Sequence, residues 1–137
     1  MKNPAPELSP RRIAFLAERF EVLYQRYNRP EYVEPDPILV VRGFPDPLDR
    51  EVAGLVASSL AYGRASQIVK SARRVLDKMQ GGPRDFLLES DDGALEEACE
   101  GFRHRFTDSR DLFDLRFSIR KALREWGSLE NLFTSGL

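Results

Sequence analysis

The residues best equipped for chemistry in this chain are cationic and aromatic. Tyr62-Gly63-Arg64 interrupts the run "ASSLAYGRASQIVKSARRVL", and Lys70, Arg73 and Arg74 follow at helical spacing. Farther on, "RHRFTDSRD" adds Arg103 and Arg105 beside Phe106. Cations on one helix face, close to the free amides of that helix's first turn, suit contact with a polyanion, each neutralising about one phosphate. The plainer reading is a solubilising outer face on an amphipathic helix. Tyr62 has two places open to it. At a tight turn permitted by Gly63 it can fold back into the core, or it can stand exposed and stack on a base or wedge into a base step. The candidate nucleic-acid contacts are therefore Tyr62, Gly63, Arg64, Lys70, Arg73, Arg74, Arg103 and Arg105.

Other chemistries find little material. His104 is the sole histidine, and Arg103 and Arg105 on either side would repel a cation. Cys99 is the sole cysteine, which excludes an internal disulfide and a Cys/His metal cluster. The carboxylates of "EEACEG" should hold its thiol protonated. Asp36, Asp46 and Asp49 lie in and beside Asp-Pro pairs, which read as turns and caps before they read as a hard-ion site. Asp91-Asp92 and Glu96-Glu97 are sequence neighbours, so on a helix each pair diverges into solvent. There is neither a G-x-S-x-G elbow nor a P-loop. No catalytic residue, metal or cofactor is expected within the chain.

The elements that position the cations read as helices. Ser9 and Pro10 open a first helix with Ile13, Leu16, Phe20, Leu23 and Tyr27 as its apolar stripe. Five prolines between Pro30 and Pro47 then predict one long proline-rich loop, in which "ILVV" suits a short extended piece. Asp46-Pro47 opens a second helix, with Val52, Leu55, Val56, Ser59 and Leu60 inward and Ala53, Gly54, Ala57, Ser58 and Ala61 admitting close neighbours. After Gly63 a third helix buries Ile68, Ala72, Val75, Leu76 and Met79 and ends at Gly81-Gly82-Pro83. "PRDFLLES" and "DDGALEEACEGF" predict two short helices, and "RHRFTDS" a connector. Asp108 or Ser109 caps a long helix with Leu112, Leu115, Ile119, Leu123 and Trp126 inward. On it Arg116, Arg120, Lys121 and Arg124 read as structural, with Asp111, Asp114 and Glu125 for ion pairs. Ser128 caps a last fragment, "SLENLF". The expectation is an all-α fold of six or seven helices in an orthogonal arrangement, with residues 1–8 flexible and 9–137 a single domain.

Composition sets the outer bounds. The 137 residues carry a net charge of -1, so an overall basic binder is excluded and only a local basic face remains. That locality is visible. Leu60 to Leu88 holds six basic residues against two acidic, Glu89 to Gly101 six acidic and no basic, and Phe102 to Trp126 seven basic against four acidic. No stretch approaches the roughly 18 apolar residues of a membrane span, and the N-terminus has no apolar signal core. A reducing cytoplasmic setting without a membrane partner is expected. "SLENLFTSGL" starts an amphipathic turn and stops, which suggests the N-terminal part of a longer protein.

Several segments also carry a resemblance. "RYNRPEYVEPDPI", "DREVAGLVASSLAYGR", "GGPRDFL", "HRFTDSRDL" and "GSLENLF" together resemble the N-terminal half of an uncharacterised bacterial family, a conserved domain of unknown function, from about Phe15 to Phe133. Longer members of that family resemble the helix-hairpin-helix DNA glycosylases. "LVASSLAYGRASQIVKSARRVL" is similar to the glycosylase segment in which a helix of small residues ends at a DNA-facing turn. The resemblance places Tyr62 where those enzymes insert a polar residue, typically glutamine, into the duplex, with Gly63 and Arg64 beside it. The gripping hairpin and catalytic Asp of a glycosylase have no counterpart before Leu137. The resemblance thus implies one wall of a DNA-repair cleft without a complete active site. From a different class, a helical interaction module would pair an open apolar surface at Leu129, Leu132 and Phe133 with a second copy or with a missing C-terminal half.

Overall fold

A computed structural model describes residues 8–136. They are all-α apart from one two-residue strand pair, and they divide into two compact units between Glu34 and Pro35. The expected flexible segment 1–8 lies outside the described residues except for Leu8.

The first unit contains helix α1, Pro10–Tyr27, and a 3-10 turn, Pro30–Tyr32. Ser9 takes the N-cap position and Pro10 follows it, but the Ser9 hydroxyl makes no capping bond. No residue of α1 is buried, its apolar stripe included. One helix and one turn have no second layer to cover an apolar face, so the pattern alone cannot bury itself.

The second unit has the core. Asp36 accepts the Ile38 amide at 2.8 Å and α2, Ile38–Arg42, follows directly. "ILVV" is therefore helical instead of extended: an aspartate cap, Pro37 and burial of Val40 outweigh the strand preference of β-branched residues. This short element raises the expected six or seven helices to eight among the described residues. Helix α3, Pro47–Ser59, is capped by Asp46, which accepts the Leu48 amide at 2.7 Å. Its buried residues are Val52, Ala53, Val56 and Ala57, continued by Leu60. Ser59 is exposed and Leu55 half-buried, so the small-residue flank supplies part of the inner face. Helices α2, α4 and α5 pack on α3, and α8 closes over it.

Helix α4, Ala65–Leu76, buries Ile68, Val69, Ala72, Val75 and Leu76. Gly82, at φ 114°, then turns the chain into α5, Pro83–Glu89. A Cβ on Gly82 would stand 2.7 Å from Asp49 Oδ2, and Asp49 accepts the Arg84 amide at 2.8 Å. Glycine is required there twice, by the backbone and by the carboxylate. Asp91 caps α6, Asp92–Cys99. "RHRFTDS" is no plain connector. It folds into an antiparallel hairpin, β1 Arg103–His104 and β2 Thr107–Asp108, with His104 opposite Thr107.

Helix α7, Ser109–Trp126, starts with a reciprocal cap between Asp108 and Asp111. Leu112, Ile119 and Leu123 face inward as expected, Leu115 is half-buried, and Trp126 keeps 38% of its surface exposed. Arg116 and Arg120 are buried too. Arg116 donates to the Val75 carbonyl at 2.9 Å and to Cys99 Sγ at 3.3 Å, with Phe86 beneath its guanidinium. Arg120 donates to the Ser90 carbonyl and pairs with Asp92. Gly127, at φ 78°, ends α7, and α8, Leu129–Thr134, follows Ser128. Glu51 on α3 accepts the Leu129 amide at 2.7 Å, anchoring α8 to the core.

Candidate nucleic-acid interface

The turn between α3 and α4 meets the hairpin. After Leu60 the chain runs through Tyr62 and Gly63, whose φ is 106°, into extended Arg64, the N-cap of α4. Gly63 is required conformationally, and a Cβ there would stand 2.9 Å from Arg105 Nη1, so the Arg105 side chain would have to move aside. Arg105, at the hairpin tip, has φ 55°, the one positive value outside glycine among the described residues.

Tyr62 and His104 hold these segments together reciprocally. The Tyr62 hydroxyl donates to the His104 carbonyl at 3.0 Å, and His104 Nε2 donates to the Tyr62 carbonyl at 3.2 Å. Carbonyls only accept, so hydrogen-bond inventory fixes the remaining roles. The Thr107 hydroxyl must donate to the Tyr62 oxygen, and in the neutral ring the Ser71 hydroxyl donates to His104 Nδ1 at 2.8 Å. The Tyr62 ring also stacks on Phe106, with centroids 4.9 Å apart. Tyr62 therefore takes the first of its two places: half-buried, with its hydroxyl bonded inside the protein. Ser71 and Thr107 do not stand out in the sequence. The alternation Arg103-His104-Arg105, with a buried ring between exposed cations, is the one local hint of a strand.

The cations gather around this clasp. Arg64, Arg103 and Arg105, with Gln67, surround a recess of about 250 Å³ floored by Tyr62, Ser71 and His104. One helix turn away, Lys70, Arg73 and Arg74 line a more open groove of about 540 Å³ along α4, together with Asp77 and Lys78. Arg74 donates to the Gly101 carbonyl at 2.8 Å, which ties groove and hairpin segment into one surface. The four ion pairs among the described residues use Arg29, Arg84, Arg110 and Arg120. None of the six candidate cations is paired with a carboxylate there. The α4 amides of Gln67 and Ile68 bond the Arg64 carbonyl, which leaves those of Ala65 and Ser66 without a backbone partner at the start of α4.

The chain belongs to the DUF2400 family. That family, described as protein of unknown function, matches residues 36–136, which is the second unit almost entirely. No curated protein and no solved structure matches the chain. The DUF2400 segment contains the whole clasp and all six cations, and α1 lies outside it.

The remaining residues singled out in the sequence lie apart from this surface. Asp46 and Asp49 accept backbone amides, and no group of three metal-binding side chains occurs among the described residues. Cys99 is buried, and burial is the main cause that pushes its thiol pKa up. Arg116 works against that shift, and the expected carboxylate influence, from Glu96, comes last. Of the proposed apolar surface, Leu129 is part of the core and Leu132 is half-buried. Phe133 is 66% exposed at the edge of an apolar groove with Leu55, Gly54 and Leu129.

Proposed function

We propose that this domain binds DNA through the face made by α4 and the hairpin, forming one wall of a glycosylase-like cleft and carrying no complete active site. The observation that supports the reading is the set of six cations without carboxylate partners, arranged around the Tyr62-Gly63-Arg64 turn. A merely solubilising face would be expected to intersperse both signs, and among the described residues Asp77 is the single carboxylate lining the recess and the groove. In this reading Arg64, Lys70, Arg73, Arg74, Arg103 and Arg105 contact phosphates, and Tyr62 braces the turn from which Arg64 projects. The test is charge reversal. Arg64→Glu, Arg73→Glu and Arg74→Glu together should abolish binding to duplex DNA in an anisotropy titration, with only a small drop in thermal midpoint from the lost Arg74 bond to the Gly101 carbonyl, because all three side chains are exposed. Unchanged binding would remove the proposed face.

A second reading, association through α8, draws on exposed Phe133 and its apolar groove of about 480 Å³. It predicts self-association that hardly responds to salt, whereas phosphate contacts weaken steeply.

A further inference from the structure

We propose that the recess beneath the Tyr62 turn seats a phosphomonoester, the phosphorylated end of a nucleic-acid strand, while the α4 groove carries the diester backbone. This deepens the DNA-binding reading and rests on it.

The two concavities differ in shape and in donors. The groove with Lys70, Arg73 and Arg74 is open along the helix, so a strand can enter and leave it. The recess has less than half that volume, and its floor is the clasp itself. Tyr62, Ser71 and His104 have committed their hydroxyl and ring hydrogens to one another and to carbonyls. A strand cannot thread beneath that floor, so a phosphate seated in the recess is approached only from its mouth.

What remains available is the rim. Arg64, Arg103 and Arg105 each present a planar fork of donors, and none of the three donates to a protein acceptor among the described residues. Gln67 adds a carboxamide without a protein partner. No carboxylate lines the recess. A diester offers one charge and two unshared oxygens, whereas a monoester near neutral pH carries about -1.5 to -2 charges and three acceptor oxygens. Three guanidinium forks around the smaller, less open recess match the monoester, since arginine recognises phosphate two donors at a time. Arg105 is held in place from behind by Phe106, whose ring its guanidinium overlies at 5.8 Å.

The test uses the intact chain and single-stranded DNA of about twelve nucleotides. The strand carries a phosphate at its 5′ end, at its 3′ end, or hydroxyls at both, and binding is read by anisotropy. A phosphorylated strand should bind about tenfold or more tightly than its hydroxyl twin. Arg103→Gln and Arg105→Gln should erase that preference, so that within each variant the phosphorylated and hydroxyl strands bind equally. Arg73→Gln, on the groove, should weaken all strands alike. Equal affinity for phosphorylated and hydroxyl strands overturns the seat and leaves the DNA-binding face standing. If no strand binds, inorganic phosphate titrated against the backbone amides decides. Shifts at Gln67, Ser71 and His104 that vanish in Arg103→Gln support a phosphate seat and remove the nucleic-acid reading. Silent amides overturn both.

Discussion

Helices α1 and α7 are each 18 residues long and amphipathic, yet they have opposite fates. In α7 the inner face comprises Leu112, Arg116, Ile119, Arg120 and Leu123, all buried although two are arginines. In α1 the stripe Ile13, Leu16, Phe20, Leu23 and Tyr27 is more apolar, and Phe20 is still 62% exposed. Periodicity identifies the distinctive face of a helix. It says neither that something covers that face nor that a covered face must be apolar. Coverage is a tertiary property: α5, α6, α8 and the hairpin pack on α7, and acceptors at Val75, Cys99 and Ser90 meet the two guanidiniums.

The largest effect that can break the comparison lies at Arg116. Truncating it to alanine leaves a cavity and an unpartnered Val75 carbonyl, at a cost of about 3–5 kcal/mol in urea unfolding. Arg116→Met should recover much of that, because the guanidinium has no carboxylate partner and its Nε has no acceptor. The equivalent truncation in α1, Phe20→Ala, should change stability by about 0.5 kcal/mol or less. A loss of several kcal/mol at Phe20 would show that its face is covered in solution.

The helix starts sharpen the contrast at a smaller scale. Asp108→Ala removes a reciprocal cap and should cost about 1 kcal/mol, whereas Ser9→Ala should cost nearly nothing because its hydroxyl makes no bond. Equal costs would contradict the difference between the two caps.

A pH dependence follows from Cys99 beneath α7. Its folded-state pKa is raised, chiefly by burial, so the folded chain keeps a proton that the unfolded chain loses. The stabilisation is complete below the ordinary thiol value of about 8.5 and declines as pH rises from there through the folded value. Cys99→Ala should flatten that alkaline decline relative to the unaltered chain, read as the urea midpoint against pH. An identical slope in both would mean that the thiol ionises as easily folded as unfolded.

Much of the second unit was legible in the sequence for local reasons. Asp46-Pro47 is a local signal and α3 begins where it indicates, whereas α4 ends at Leu76, five residues before the expected stop at Gly81-Gly82-Pro83. The inner residues of α4 follow directly from three- and four-residue steps. What escaped depends on contacts distant in the chain. The helical state of "ILVV" depends on an Asp36 cap and on Val40 packing into the core. The hairpin depends on Tyr62 and Ser71 reaching His104 from 42 and 33 residues away. Around the candidate site, the cations could be read from type and spacing, but the recess they surround could not, because its floor joins three separate segments.

The most direct test of the basic face is the salt dependence of DNA binding. Six phosphate contacts predict that log K falls with log salt at a slope of about -5. Neutralising Arg64, Arg73 and Arg74 to Gln should remove roughly half of that slope. A slope near zero, or the same slope in the unaltered and neutralised proteins, would contradict the assignment of these cations to a polyanion.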